Sequence, residues 1–155
     1  MHLSRDAIVS TALELLTRYG LADVTMRRVA TNLDVAPGAL YWHVANKQSL
    51  IAAMTAEILS PVAGETTAEL VSSLHRELRR WRDGAEVAIA GAAFPESSAS
   101  IDLEELFTTT LQKEAPDASP EDIAVAARTL IHYTLGATFM AVSYTHLRAH
   151  ETRED

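Results

Sequence analysis

The sequence contains no cysteine among its 155 residues. Disulfide bridges, thiolate zinc sites, cysteine-held iron–sulfur clusters and cysteine nucleophiles are therefore excluded, and the composition is consistent with a reducing compartment. No apolar run approaches the ~20 residues that a membrane-spanning helix needs, and Ser4, Arg5 and Asp6 interrupt the start, where a signal sequence has its apolar core. We therefore predict a folded, cytoplasmic protein that has no membrane partner.

Signatures of catalysis are also missing. The sequence has no nucleophile elbow, phosphate-binding loop or zinc-hydrolase motif, and Gly84 and Gly91 are too sparse to form a nucleotide cradle. The six histidines show no metal-ligand spacing. We therefore predict a protein that is not an enzyme and that needs no cofactor or metal.

The negative charge is confined to one part of the chain. The formal net charge is −8, and it lies wholly in residues 61–155, because basic and acidic residues balance in 1–60. The acidic part is expected to avoid polyanions, whereas the neutral part can approach them. The balancing residues are Arg5, Arg18, Arg27, Arg28 and Lys47 against Asp6, Glu14, Asp23, Asp34 and Glu57.

What the sequence does contain is helical periodicity. Apolar residues make up 48% of the chain and recur at helical spacing, with no sustained alternation that indicates a strand, so we predict an all-α fold. Residues 1–60 are expected to form four helices. These helices have start signals at Ser4, Thr25, Pro37 and Asn46, an end at Gly20, and inward residues Ile8, Ala12, Leu15, Leu16, Tyr19, Val29, Ala30, Leu33, Leu50, Ile51, Met54 and Ile58.

Residues 61–142 also show a helical pattern. One helix is expected from about Thr67 to Arg82, a short apolar segment follows at 87–90, and another helix ends before Pro116. Ser119 caps a last helix that runs toward Val142. Its apolar stripe is predicted to be exposed and to need a partner helix. The stripe consists of Ile123, Ala127, Leu130, Ile131 and Leu135.

The sequence predicts two short helices, at 25–33 and 37–43, joined by a tight turn. This arrangement is typical of a helix-turn-helix, whose second helix enters the major groove of DNA. The residues that carry this pattern are Thr25-Met26-Arg27-Arg28-Val29-Ala30, Val35, Leu40-Tyr41-Trp42-His43-Val44, Asn46-Lys47 and Leu50. This run resembles the DNA-binding domain of the TetR family of transcriptional regulators. Weaker resemblance continues at 82–85 and 132–136, so that it covers roughly residues 3–142.

The resemblance implies a ligand-responsive repressor that binds a palindromic operator on double-stranded DNA as a homodimer and is released by a small molecule. It implies a helix-turn-helix DNA-binding domain at 1–60 and a partial ligand-binding and dimerisation domain at 61–142. Residues 143–155 resemble a translated sequencing adapter, and we interpret them as a non-native tail. Because family members build a dimer from two C-terminal helices and only one is expected here, this form is predicted to dimerise weakly.

Candidate DNA contacts lie in and beside the two short helices. The guanidinium of Arg27 can reach a guanine edge or a phosphate, and the alternative is a solvated helix arginine. Tyr41 and His43 can donate to phosphates or bases, although His43 can equally satisfy a nearby carbonyl. Trp42 is expected to pack rather than to stack on a base. The full set is Arg27, Pro37, Gly38, Ala39, Tyr41, Trp42, His43 and Lys47.

Pro37, Gly38 and Ala39 offer only apolar contact and close backbone approach, or simply start their helix. Lys47 lies at the start of the fourth helix, where a phosphate is expected. The arginines at 76, 79, 80 and 82 stand among Glu77 and Asp83, and a solvated, ion-paired face is a better interpretation than a second DNA site.

Candidate ligand-binding residues are spread over 61–142. Family members that bind a magnesium-bound drug surround it with histidines and a glutamate, but this chain has Ala88 and Ala137-Thr138-Phe139-Met140 at the corresponding places. We therefore expect no drug–magnesium site. We expect an apolar inducer instead. His132 is expected to be a core or pocket histidine. The predicted ligand-binding residues are Leu70, Leu74, Ala88, Phe107 and His132.

Two other functions stay open at the level of sequence. A small helical enzyme would use His132 with Asp102 or Glu105, but it leaves the pattern at 25–50 unexplained. A partner-binding protein that has lost DNA binding is favoured only if the chain is a monomer.

Overall fold

The computed structural model describes the backbone of residues 3–94 and 98–151, and the side chains of those residues up to Ala141. Within these ranges the fold is all-α, as predicted. A short 3-10 turn at Leu21–Asp23 separates the first two helices. The α-helices are α1 (Arg5–Tyr19), α2 (Met26–Asn32), α3 (Pro37–Leu40), α4 (Lys47–Leu59), α5 (Thr67–Arg80), α6 (Gly84–Ala92), α7 (Ser98–Glu114) and α8 (Pro120–Glu151).

Four of the predicted start signals are confirmed as side-chain caps, and the fifth, Pro37, is the first residue of α3. Ser4 accepts a hydrogen bond from the amide of Ala7 (3.1 Å), Thr25 from that of Arg28 (3.2 Å) and Asn46 from that of Ser49 (2.8 Å). Ser119 accepts one from Asp122 at the start of α8. Each cap satisfies an amide that has no partner within its helix and contributes about 1 kcal/mol. Sequence-local chemistry therefore decides where these helices begin.

Several helix bounds differ from the predictions or were not predicted. Helix α3 ends at Leu40 rather than at 43, because the amides of His43 and Val44 both bond to the Leu40 carbonyl and close a turn. Helix α6 covers Gly84–Ala92 rather than 87–90, and α7 begins at Ser98. The backbone of α8 continues past Val142 to Glu151. The interpretation of 143–155 as a non-native tail stays a prediction. The side chains of that segment, and all of residues 152–155, lie outside the described part of the chain.

The first four helices enclose a small apolar core. Side chains from each of α1 to α4 are fully buried there, including Ile8, Leu16, Val29, Leu40 and Leu50. A buried leucine or isoleucine contributes about 1.5–3 kcal/mol relative to an exposed one. Tyr19, which we expected inside, is exposed, because it follows the last buried turn of α1. The turn after α2 is sharp, since Asp34 adopts a left-handed conformation (φ 54°) and Val35 bonds back to the Ala30 carbonyl.

Helices α5 to α8 pack around a second part of the core. Leu70, Leu74 and Leu78 lie on one face of α5 and are buried against the other three helices. The stripe of α8 predicted to be exposed is instead mostly buried in the same chain: Ile123, Ala127, Ile131 and Leu135 face inward. The opposite side of α8 carries the exposed apolar residues, including Val125, Tyr133 and Met140.

Helix α4 belongs to both parts of the core, because it also crosses α6 closely. At the crossing, the Thr55 hydroxyl lies 2.9 Å from the Ile51 carbonyl and 3.0 Å from the Val87 carbonyl of α6. A Cβ built on Gly91 would lie 2.0 Å from Thr55 Oγ1, so only glycine allows this approach. The two parts are therefore packed together through α4. Within the described residues, no helix is both long and apolar enough to cross a lipid bilayer.

Candidate nucleic-acid interface

The short helix α3 presents most of its residues to solvent. Leu40 is its one buried residue; Pro37 and Gly38 are exposed, and Ala39 is half-buried. Nothing lies within 4 Å of a Cβ built on Gly38, so the backbone there is open to close approach. The packing of α3 on α2 therefore rests on Leu40 and leaves the outer surface of α3 available to a partner.

The turn that follows α3 carries three exposed side chains in succession. Tyr41, Trp42 and His43 all face solvent, and Trp42 is 90% exposed. The expectation that Trp42 packs is therefore wrong: Leu40 and Val44 take the two inward positions that flank the turn, and the residues between them project outward. Tyr41 and Trp42 therefore leave neighbouring aromatic surfaces open to a partner.

Arg27 and Arg28 are neighbours with different surroundings. Arg28 pairs with Asp23, and its guanidinium lies 4.2 Å from the centre of the Tyr19 ring. Arg27 is exposed, and within the described part of the chain it forms no ion pair. Lys47 is exposed at the first position of α4, beside the Asn46 cap. Arg27 and Lys47 are thus cations free to meet a phosphate or a base.

The structure brings the predicted DNA contacts onto one structural unit. Seven of them lie within the single segment from Pro37 to Lys47, and Arg27 lies on α2, which packs directly against α3. None of the eight is in the core. The arrangement of a packed helix, a sharp turn and an outward helix matches the geometry that places side chains in a major groove.

A polar junction joins this unit to the second part of the core. The amide of Leu21 donates to Asp83 Oδ2 (2.9 Å), and the Arg82 guanidinium donates to the Arg18 carbonyl (3.1 Å). Gly20 has φ 88°, and a Cβ at that position would lie 2.7 Å from Asp83 Oδ2. We call these contacts the 20–83 junction. These contacts are not predicted from the sequence, in which the one available signal is the break in the helix pattern at Arg82-Asp83-Gly84.

His132 lies apart from the other four predicted ligand-binding residues. Leu70, Leu74, Ala88 and Phe107 are all buried and belong to the apolar core. His132 is exposed, so the expectation of a core or pocket histidine is wrong: it lies on the outer side of α8, next to the exposed Tyr133. It forms no described hydrogen bond to Asp102 or Glu105, which are also exposed.

A different histidine makes a contact inside the helical part. His75 is half-buried on α5, and its Nδ1 lies 2.8 Å from the Thr138 hydroxyl of α8. The Thr138 hydroxyl also lies 2.7 Å from the Thr134 carbonyl of its own helix, so it joins α5 to the backbone of α8. Periodicity alone did not indicate this contact, since the two residues are far apart in the sequence.

The ion-paired face that the sequence predicted for the arginines at 76, 79, 80 and 82 is confirmed for two of them. Arg76 and Arg80, both largely exposed, pair with Glu77 at 3.3 and 2.9 Å. The Glu77 side chain is only 5% exposed and pairs with both cations, and Arg76 also donates to the Ser73 hydroxyl. These arginines are consequently engaged within the chain and do not form a second basic surface.

The amino-acid sequence matches known bacterial regulators. The family model described as "Bacterial regulatory proteins, tetR family" matches residues 8–54. The class D tetracycline repressor protein of Escherichia coli is 31% identical over 154 residues, which cover 92% of this chain and 68% of the repressor.

Solved structures with the same fold agree with these matches. BioQ in complex with its double-stranded DNA operator superposes with a TM-score of 0.86 at 36% identity, covering 95% of this chain and 90% of BioQ. Mycobacterium smegmatis BioQ gives 0.87 at 36% identity, with 96% and 85% of the two chains covered. ActR of Streptomyces coelicolor in complex with (S)-DNPA gives 0.81 at 26% identity, with 92% and 73% covered.

Proposed function

Because this chain belongs to the tetR family of bacterial regulatory proteins, we propose that it represses transcription by binding a palindromic operator as a homodimer, and that a small molecule releases it. Like its relatives, the chain is a DNA-binding transcriptional regulator and not an enzyme. With DNA as its partner, we place it in the cytoplasm. The exposed surface of α3 and the turn after it is the observation that carries the proposal.

We assign DNA binding to residues 1–60 and, within them, to the eight predicted contacts. Tyr41, His43 and Arg27 supply hydrogen-bond donors, Lys47 supplies a cation beside the amides that begin α4, and Trp42 adds an apolar surface. Pro37, Gly38 and Ala39 let the backbone approach the groove. The operator-bound BioQ structure supports this assignment, because it has the same fold.

We assign dimerisation to the outer side of α8 within residues 61–142. Val125, Tyr133 and Met140 are exposed there, with Tyr133 at 73%, and all three lie within one half of the helix circumference. A second copy that packs this side against its own would cover the apolar surface symmetrically. Two copies held in this way would bring two α3 helices to successive major grooves, about 34–36 Å apart.

We further propose that ligand occupancy in the helical part changes the separation of the two α3 helices. Two features make the coupling rigid: the 20–83 junction and the crossing of Thr55 with Gly91. Leu70, Leu74, Ala88 and Phe107 are the proposed neighbours of an apolar ligand in the core. His132 is left out, because it faces solvent. The ligand must bind the two arrangements unequally to shift DNA binding.

Footprinting of the full chain on the DNA around its own gene tests the proposal. We expect a protected, two-fold symmetric site. Arg27→Ala or Tyr41→Ala should weaken protection by about 1–3 kcal/mol, if each reads a base. Arg79→Ala, which removes an exposed arginine of α5, is the matched control and should leave protection unchanged. The repressor proposal would be refuted if the folded chain protected none of the DNA fragments.

A further inference from the structure

A preformed cavity lies between the first and second parts of the chain. It has a volume of about 590 Å³ and is bounded mainly by α1, with Glu57 of α4 and Trp81 beyond the end of α5 completing its wall. This volume falls in the range of ~300–1,000 Å³ that small-molecule sites occupy. The proposed neighbours of an apolar ligand in the core, Leu70, Leu74, Ala88 and Phe107, are not part of its lining. The cavity is therefore separate from that position.

The floor of the cavity is apolar and includes one aromatic ring. Val9 and Leu13 of α1 are buried at its base, and the half-buried indole of Trp81 lies beside them. An indole is the best of the aromatic side chains at attracting a cation to its face. The floor therefore suits a ligand that has an apolar body.

The rim of the cavity is acidic. Asp6, Glu14 and Glu57 line it, and Arg18 is the one basic residue in the lining. Across the described side chains, these three carboxylates take part in no ion pair. The rim therefore has three unpaired anions and one cation, and it surrounds an apolar floor that contains an indole. This combination complements a ligand that is apolar and positively charged.

We propose that this cavity binds a hydrophobic organic cation. The apolar body of the ligand rests on Val9, Leu13 and Trp81, and its charge lies among Asp6, Glu14 and Glu57. Because the ligand touches α1, α4 and Trp81 together, it bridges the DNA-binding unit and the helical part. Arg18 and Trp81 also adjoin the 20–83 junction. A regulatory role for the ligand rests on the proposed function, whereas the binding itself does not.

Two probes of the same shape and opposite charge test the proposal. Tetraphenylphosphonium and tetraphenylborate are titrated into the full chain by calorimetry in the absence of DNA. Trp81 fluorescence is followed in a Trp42→Phe background. We expect the phosphonium to bind with one site per chain and to perturb Trp81, and the borate to bind at least about tenfold more weakly, because three carboxylates each contribute about a two- to fivefold effect.

Variants locate the site. Glu14→Gln should weaken phosphonium binding about two- to fivefold, and Arg18→Gln should strengthen it by a similar factor, because the two changes alter the rim charge in opposite directions. Trp81→Leu should weaken it about tenfold. Asp102→Asn is the matched control: it removes a carboxylate from a neighbouring cavity of about 540 Å³ between α4 and α7, which shares Glu57 with the proposed site but none of its other lining residues. It should have little or no effect.

Three results would overturn the inference: no phosphonium binding at millimolar concentration, equal affinity for the borate, or a loss of binding in Asp102→Asn with none in Glu14→Gln. Because the titration contains no DNA, each of these results leaves the footprinting test of the repressor unaffected. The failure of the ligand inference and that of the proposed function are thus distinguishable.

Discussion

The two parts of this chain use helices in different ways. Within the DNA-binding unit, residues 1–60, the proposed DNA contacts lie in and beside two short helices, α2 of 7 residues and α3 of 4. They are held by the Thr25 cap on α2, a sharp turn and one or two buried side chains each. The second part has α-helices of 14, 17 and 32 residues in α5, α7 and α8, which bury long apolar stripes against one another. In the first part, the residues proposed to function lie outside the core. In the second part, those proposed to contact an apolar ligand are the core itself.

This difference has a consequence for experiments. Substitutions on the α3 surface can change DNA affinity without changing the free energy of unfolding. Substitutions at Leu70, Leu74 or Phe107 necessarily change that free energy, so a loss of ligand response there does not by itself identify a ligand contact. The following predictions test the contrast, beginning with the largest effect.

Phe107→Ala should lower the free energy of unfolding by about 3–5 kcal/mol, because Phe107 is fully buried and its loss leaves a cavity. Urea denaturation followed by circular dichroism measures the change. Phe107→Leu, which refills part of the volume, should recover much of the loss. A cost below about 1 kcal/mol would mean that this region is loosely packed and already has room for a ligand.

Gly91→Ala should lower the free energy of unfolding by about 1–3 kcal/mol, because the added Cβ would lie 2.0 Å from Thr55 Oγ1 and force α4 away from α6. Gly136→Ala on α8 is the matched control, since nothing lies within 4 Å of a Cβ there. It should be neutral or slightly stabilising. If the two substitutions had equal effects, the close crossing of α4 with α6 would be contradicted.

Asp83→Ala should cost about 1–2 kcal/mol, because it removes the acceptor for the Leu21 amide and leaves alanine in a left-handed conformation. Asp83→Asn keeps an acceptor oxygen and tolerates that conformation, so it should cost less. Thermal unfolding of the two variants gives the comparison. We also expect Asp83→Ala to change operator affinity, because the 20–83 junction orients the DNA-binding unit. Unchanged affinity would show that the junction is not part of the coupling.

Trp42→Ala should change the free energy of unfolding by no more than about 0.5 kcal/mol, because the indole is 90% exposed. Trp81→Ala, at a half-buried indole, should cost distinctly more. Urea titrations of both variants provide the test. A large cost at Trp42 would mean that the turn after α3 packs in solution, as the sequence pattern first indicated.

Local chemistry made much of the fold predictable. Caps at Ser4, Thr25, Asn46 and Ser119 are decided within three residues, and so the starts of their helices were predicted correctly. Helix α8 was harder, because it carries apolar residues on both sides, and periodicity does not say which side faces the core. Ile131 is buried and Tyr133 is exposed because α5 and α7 pack against the Ile131 side of α8. His132 was misplaced for the same reason.

Contacts between distant residues were not predictable. The Leu21 amide and Asp83 are 62 residues apart, and His75 and Thr138 are 63 apart. Either pair forms only after the helices that carry them have packed, and a single sequence gives no sign of which partners meet. Trp42 illustrates a related limit: a large aromatic residue is usually buried, and only the packing of Leu40 and Val44 reveals that this one is not.

The most direct test of the central claim compares DNA affinity with stability in the same variants. Fluorescence anisotropy on the protected operator and urea denaturation are measured for Arg27→Ala and Tyr41→Ala. We predict a loss of about 1–3 kcal/mol in operator binding for each variant, with the free energy of unfolding unchanged within about 0.5 kcal/mol. Unaltered operator affinity, or a loss of affinity that merely follows a loss of stability, would contradict the assignment of this surface to DNA.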